Sequence, residues 1–308
     1  MAQAHDYVRP VPDDEDHILI REGRHPVVER NVSAGFVPND TDLSGNETRI
    51  MIITGANMAG KSTYMRAVAL ICIMAQSGGF VPAAHARIGV LDRIFTRVGA
   101  FDDLASGQST FMVEMLELAN ILNNVTDRSL VILDEIGRGT STVDGFAIAQ
   151  AVLEFLHGRS HTGPKTLFAT HFHELVNVES ELKRVKNFHF AVRETQSDVI
   201  FLRKIIPGAT DKSYGIHVAR LAGIPKKVTE RAGAILTQTI DRTTAPSQKV
   251  QRYTQLLLAD DARPASPPRS DPVLDEIRAI RTDELTPLQA LTILHNLKRR
   301  IQEGDKPS

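Results

Sequence analysis

Ile50-Met-Ile-Ile-Thr-Gly-Ala-Asn-Met-Ala-Gly-Lys-Ser62 decides the fold. Its first five residues are a short apolar run, the pattern of a strand covered on both faces. Gly55-Ala-Asn-Met-Ala-Gly-Lys61-Ser62 follows, of the form G-x-x-x-x-G-K-[ST], and a helical pattern then runs over 62–76. Glycines let successive backbone N–H groups curl round phosphate oxygens, and the next helix presents the positive end of its dipole. In such a loop the lysine reaches the β- and γ-phosphates and the hydroxyl ligates Mg²⁺, the roles expected of Lys61 and Ser62. A glycine-rich turn with a surface lysine is the plainer reading. The strand–turn–helix setting argues against it.

Further along, 130–133 and 166–169 read as two more buried strands, with helical patterns over 109–123 and 146–157. The alternation implies an α/β layer fold from about 18 to 239. Runs at 186–193 and 199–206 flank a short polar link and look like a hairpin. Leu130-Val-Ile-Leu-Asp134-Glu135 is an apolar strand ending in two carboxylates. Asp134 is placed to hold Mg²⁺, and Glu135, one residue on, to face the attacking water. Acids at strand ends often serve only solubility, so this signal gains its weight from the glycine loop upstream. His171, just after the 166–170 strand, could sense or polarise the γ-phosphate; a structural histidine is the commoner case.

Composition narrows the class. The chain has 308 residues, 42% of them apolar and 24% charged, as in ordinary globular proteins. A net charge of -1 gives no global attraction to nucleic acid. The single cysteine, Cys72, excludes an internal disulfide and suits a reducing cytosol. No His/Cys group has zinc-ligand spacing. The apolar run at 67–75 is far short of a bilayer span and the N-terminus carries no secretory pattern, so a cytoplasmic, nucleoid-associated location is expected.

The expected organisation is a connector or cut end over 1–17 and the α/β domain over 18–240. The domain closes with a helix-turn-helix at about 207–240, where Gly223 stops one helix and Pro225 opens the next. Pro246, Pro264, Pro267, Pro268 and Pro272 mark 241–272 as a flexible linker. Over 273–304 a small helical segment carries Leu288, Leu291, Leu294, Leu297 and Ile301 as one apolar stripe. Too small to bury that stripe alone, it is expected on a partner.

Several motifs together resemble the MutS family of DNA mismatch-repair proteins. Thr54-Gly-Ala-Asn-Met-Ala-Gly-Lys-Ser-Thr63 is similar to that family's phosphate loop, with Ala56 and Ala59 where proline and glycine are usual. Asp102-Asp-Leu-Ala-Ser-Gly-Gln-Ser-Thr-Phe-Met-Val-Glu-Met115 resembles its signature loop and helix. Asp134-Glu-Ile-Gly-Arg-Gly-Thr-Ser-Thr142 resembles its Walker B and D-loop, and Phe168-Ala-Thr-His171 its histidine switch. Gly23-Arg-His-Pro26, Phe36-Val-Pro-Asn-Asp40 and Lys212-Ser-Tyr-Gly-Ile-His-Val-Ala-Arg-Leu-Ala-Gly-Ile-Pro225 also match. The likeness runs from about Tyr7 to Gln238 and resumes at Leu285-Thr-Pro-Leu-Gln-Ala-Leu291, similar to the family's C-terminal oligomerisation segment.

The resemblance implies a P-loop NTPase of the ABC-ATPase type, a mixed sheet flanked by helices, followed by a helical dimerisation region and a small helical tail. It implies ATP/ADP and Mg²⁺ held by Gly55, Ala56, Asn57, Met58, Ala59, Gly60, Lys61, Ser62 and Thr63, with Asp134 as a second metal ligand. Phe36 is expected to stack on adenine, and Glu135 and His171 to be catalytic. Ser109 is expected to reach the γ-phosphate bound by a second copy, making a homodimer through this domain with higher oligomers through the tail. A MutL-type repair partner is implied as well. Counterparts of the mismatch-binding, connector, lever and clamp domains are missing upstream, so the chain is read as a C-terminal fragment. Slow ATP hydrolysis without mispair recognition is then expected, mismatched DNA being bound only by the full-length protein. Two alternatives stay open: a MutS relative acting in recombination, and a non-hydrolysing nucleotide-dependent dimerisation module. A P-loop kinase would need an acceptor pocket and lid arginines, whereas here Glu135 follows Asp134 as a water-activating pair; a nuclease-bearing MutS branch would need an Smr-like tail, and none is apparent after Thr239.

Overall fold

The computed structural model describes residues 5–244 apart from 34, 45–46, 100–108, 160–161, 195–198 and 211–213. The chain divides into two units, Met1–Ala245 and Pro246–Ser308; the first carries everything below. The linker expected over 241–272 begins later than its prolines suggest, because the last described helix continues through Thr244; the rest of it and the helical tail over 273–304 lie outside the described residues, as does 102–108 of the signature loop.

In chain order the elements are β1 (Val11–Asp13), β2 (His17–Gly23), α1 (Val28–Asn31), β3 (Asn39–Ser44), β4 (Ile50–Thr54) and α2 (Lys61–Gln76). They continue with β5 (His85–Gly89), β6 (Ile94–Val98), α3 (Thr110–Asn124), β7 (Leu130–Asp134), α4 (Thr142–Gly158) and β8 (Lys165–Ala169). After a 3₁₀ turn at His173–Asn177 come α5 (Val178–Glu181), β9 (Val185–Glu194), β10 (Val199–Pro207), α6 (Gly215–Leu221) and α7 (Lys226–Thr244).

A six-stranded sheet in the order β10-β9-β4-β8-β7-β6 forms the centre. All its pairings are parallel except the β9–β10 hairpin, so the sheet is mixed, as expected. β4 lies inside it, every residue buried. Met51 and Ile53 face one core, with Leu130, Ile132 and Leu167. Ile50 and Ile52 face the other, with Val131, Leu133 and Phe168. The period-two alternation of a strand divides one apolar run between two cores. α2 fills the first core through Met65, Val68, Ile71 and Cys72; α3 and α4 fill the second through Leu118, Ile121, Val152 and Leu156.

Beyond α2 lies a four-stranded sheet in the order β1-β5-β2-β3, which sequence patterning did not anticipate. Its strands alternate buried and open positions and carry polar residues: β3 reads Asn39-Asp-Thr-Asp-Leu-Ser44, with burial alternating along it. The stretch 1–17, expected as a connector, contributes to this sheet. Val11–Asp13 pairs in parallel with β5, and Val8 bridges Val81. β6 was also unanticipated, because Arg97 interrupts its apolar pattern. α4 begins four residues earlier than its apolar pattern does, since Ser141 caps it by accepting from the Asp144 amide.

Candidate functional site

β4 aims its C-terminal end into the glycine loop, and α2 leaves it. Gly55 and Gly60 take φ of 126° and 113°, left-handed values open to glycine. Met58 also takes positive φ, 72°, and projects its side chain to solvent. Ala59, where the family usually has glycine, keeps negative φ and is fully buried, so its methyl turns into the core. Lys61 is the first residue of α2 and is 4% exposed. Its ammonium donates to the carbonyls of Gly55 at 2.7 Å and Ala56 at 3.2 Å, and to Asn57 Oδ1 at 3.5 Å. Burial, foremost, holds its pKa below the usual lysine value, against the opposing pull of Glu135 and Asp134.

Parallel pairing brings the next groups to the same edge. Asp134 ends β7, and Ser62 Oγ donates to its Oδ2 at 2.5 Å. Asp134 Oδ1 is buried and makes no hydrogen bond. Burial, then the charge of Glu135, keeps the Asp134 carboxyl above its ordinary pKa despite the serine bond and the nearby lysine. A carboxylate oxygen left over beside a hydroxyl is a donor set suited to a small hard cation such as Mg²⁺. The residues fit that ion.

Glu135 follows in a left-handed conformation, φ 59°, with its amide donating to Ala169 O at 2.9 Å. Its Oε1 is hydrogen-bonded by His171 Nε2 and lies 3.7 Å from Lys61 Nζ. Its Oε2 meets Arg138 Nη1 at 2.5 Å. Burial alone would raise the Glu135 pKa, but the histidine bond and the charges of His171, Arg138 and Lys61 outweigh it and lower the value. The carboxyl is therefore ionised at neutral pH. His171 gets there because Thr170 continues the β8 pairing, its amide donating to Ile53 O at 3.1 Å.

Phe36 lines a cavity of about 290 Å³ beside the loop, together with Met58, Gly60, Thr63, Tyr64 and Arg203. Two residues missed from sequence, Asn39 and Arg203, shape its wall. Asn39, 6% exposed, donates to Arg203 O at 3.0 Å and accepts from the Ile205 amide at 2.8 Å, pinning the β10 bulge at which Arg203 takes φ 55°. Nothing in the local pattern marks a bulge that depends on a partner 164 residues away. Arg138 was legible only as a letter of a motif. Ser109 stands exposed at the head of α3 and caps it, accepting from the Met112 amide at 3.2 Å.

A glycine loop between a buried strand and helix, with two carboxylates and a histidine at the neighbouring strand ends, defines the class as an α/β domain with its charged side chains gathered at one edge of the sheet. Residues 51–240 match MutS domain V, and 266–300 match the DNA mismatch repair protein MutS C-terminal region. The chain belongs to the MutS family. It is 56% identical, over 99% of its length, to the DNA mismatch repair protein MutS of Methanococcoides burtonii and covers 36% of that relative. Against the protein of the same description from Methanosarcina barkeri it is 56% identical over 98% of its length, covering 35%. For Caldanaerobacter subterraneus the identity is 53% over 97%, covering 34%. The chain thus spans about a third of the length of these curated relatives. No helix among the described residues is long and apolar enough to cross a membrane.

Proposed function

We propose that the chain binds ATP and hydrolyses it to ADP and phosphate, as the ABC-type P-loop ATPase part of a MutS-type mismatch-repair protein. One observation carries the reading: the Lys61 ammonium, the Ser62–Asp134 pair and the Glu135–His171 pair converge at the mouth of one glycine loop. Amides from Gly55 to Thr63 and the start of α2 cradle the phosphates. Lys61 leaves its loop carbonyls for the β- and γ-oxygens, and Phe36 covers the adenine. Ser62 and Asp134 would hold Mg²⁺, which would supply charge neutralisation on the phosphate oxygens. Glu135, ionised and held by His171 and Arg138, orients the attacking water and accepts its proton.

Two copies sandwich the nucleotide, Ser109 of each meeting the γ-phosphate bound by the other. Support for such a homodimer comes from Leu221, Ile224, Val228, Ile235 and Leu236, large apolar side chains left exposed on and between α6 and α7. ATP adds bonds across the subunit boundary that ADP lacks, so occupancy shifts the closed population and drives a clamp. Higher assembly through the C-terminal segment and a MutL-type partner complete this reading, with mismatched DNA bound only by the full-length protein.

The test is titration of Lys61→Ala with a fluorescent ATP analogue and Mg²⁺. Removing charge-assisted bonds worth about 1.5–3 kcal/mol each should weaken binding by roughly 10- to 100-fold. A folded variant that captures and cleaves ATP like the parent overturns the proposal.

A further inference from the structure

One buried titratable group beside the site has no part in the chemistry above. Glu114, in the second turn of α3, is 5% exposed. Its Oε1 accepts from the Gly137 amide at 2.6 Å, and its Oε2 lies 3.4 Å from Arg97 Nη2. Arg97, equally buried, donates to Gly99 O. A carboxylate inside a helix face thus reaches the turn that carries Glu135 and Arg138.

That turn needs holding. Glu135 is neither glycine nor asparagine, yet its backbone is left-handed, φ 59°. Such a conformation persists only where the surroundings over-determine it. Upstream, the Glu135 amide is fixed to Ala169 O. Downstream, Ile136 is buried and Gly137, φ 85°, lies against the Gly145 backbone so closely that a Cβ would come within 2.6 Å of Gly145 O. A further clamp is the Glu114 carboxylate on the Gly137 amide. Without it that amide loses its buried acceptor, and the turn is free to relax toward negative φ at Glu135. The carboxylate would then swing away from His171 and Lys61.

We infer that Glu114 is a positioning residue for hydrolysis, fixing the Glu135–Arg138 turn through the Gly137 amide and joining that turn to the helix headed by Ser109. The inference rests on the ATPase reading. Glu114 lines a cavity with Ser62, Asp134 and Glu135, but both its carboxylate oxygens are engaged by Gly137 and Arg97 rather than by the phosphate loop, so nucleotide affinity is expected to be independent of it. Its effect is confined to the rate.

The experiment compares the full 308-residue chain with Glu114→Ala and Glu114→Gln, measuring ATP affinity by fluorescent-analogue titration and turnover by phosphate release. Misplacing the water-orienting group by about an ångström should lower kcat roughly 100-fold in the alanine variant, with affinity within about two-fold of the parent. Glutamine keeps an oxygen for the Gly137 amide and should restore kcat to within about ten-fold. Three results overturn the inference: an alanine variant with parental kcat, loss of affinity in parallel with kcat, or a folded glutamine variant as slow as alanine. A parent chain that binds ATP without turnover sinks the ATPase reading itself, a result distinct from all three.

Discussion

In the proposed reaction Glu135 is the residue on which hydrolysis turns, and its environment sets the expected phenotype. His171, Arg138 and Lys61 all stabilise its ionised form. Glutamine preserves the size and one acceptor oxygen but cannot take the water's proton. Glu135→Gln should therefore cut phosphate release by roughly 10²- to 10⁴-fold, the usual worth of a general base, while ATP binding persists. Parental turnover in that variant would remove Glu135 from the mechanism; no turnover in either protein would favour the non-hydrolysing dimerisation module. The identities of Lys61, Ser62, Asp134, Glu135 and His171 were legible because each follows an apolar run in a recognisable order. Their mutual geometry was not. The left-handed φ of Glu135 and its dependence on Ala169 and Glu114 arise from parallel pairing and helix packing, which local propensity does not encode.

Among the elements, legibility followed burial. β4, β7 and β8 are covered on both faces and stand out as unbroken apolar runs. β3 does not, because its inward positions include Asn39 and Thr41, which are buried by virtue of hydrogen bonds to Arg203 O and the Tyr64 hydroxyl. The small sheet is tied to the large one by charge. Asp16, just before β2, pairs with Arg49 at the foot of β4 at 2.6 Å and with Lys165 at the start of β8. Arg49 also donates to Gly163 O and Asp127 O, both at 2.6 Å. Burial would raise the Asp16 carboxyl, but the bonds and charges of Lys165 and Arg49 prevail and hold it below the ordinary aspartate value. A depressed carboxyl contributes stability that is full above that value and is lost as pH falls through the folded pKa. Asp16→Asn strands two buried cations; with Asp16 itself 39% exposed, the cost should be roughly 2 kcal/mol at pH 7. Urea unfolding should find the gap to the parent narrowing below pH 4, and a gap independent of pH would refute the assignment. ATP affinity should be unaffected, since the cluster sits at the opposite end of β4 from the loop.

For the whole molecule, a site completed by a second copy makes a prediction that no single-chain site makes. Lys61→Ala disables the chain's own loop but keeps Ser109 available to a partner. Ser109→Ala does the converse, at a capping cost of about 1 kcal/mol, which leaves the fold intact. Each variant alone should be inactive in steady-state phosphate release, because every site in its homodimer lacks one half. Mixed in equal amounts and allowed to exchange, they form mixed dimers in which the loop of the Ser109→Ala chain meets the intact Ser109 of the other. Random pairing makes half the dimers mixed with one complete site in two, so about a quarter of the parental activity should return. The recovery should rise with total protein concentration, as an associating system must. If activity stays at the level of the separate variants while sedimentation detects mixed dimers, Ser109 acts on its own subunit's nucleotide or on none, and the sandwich across the boundary is wrong.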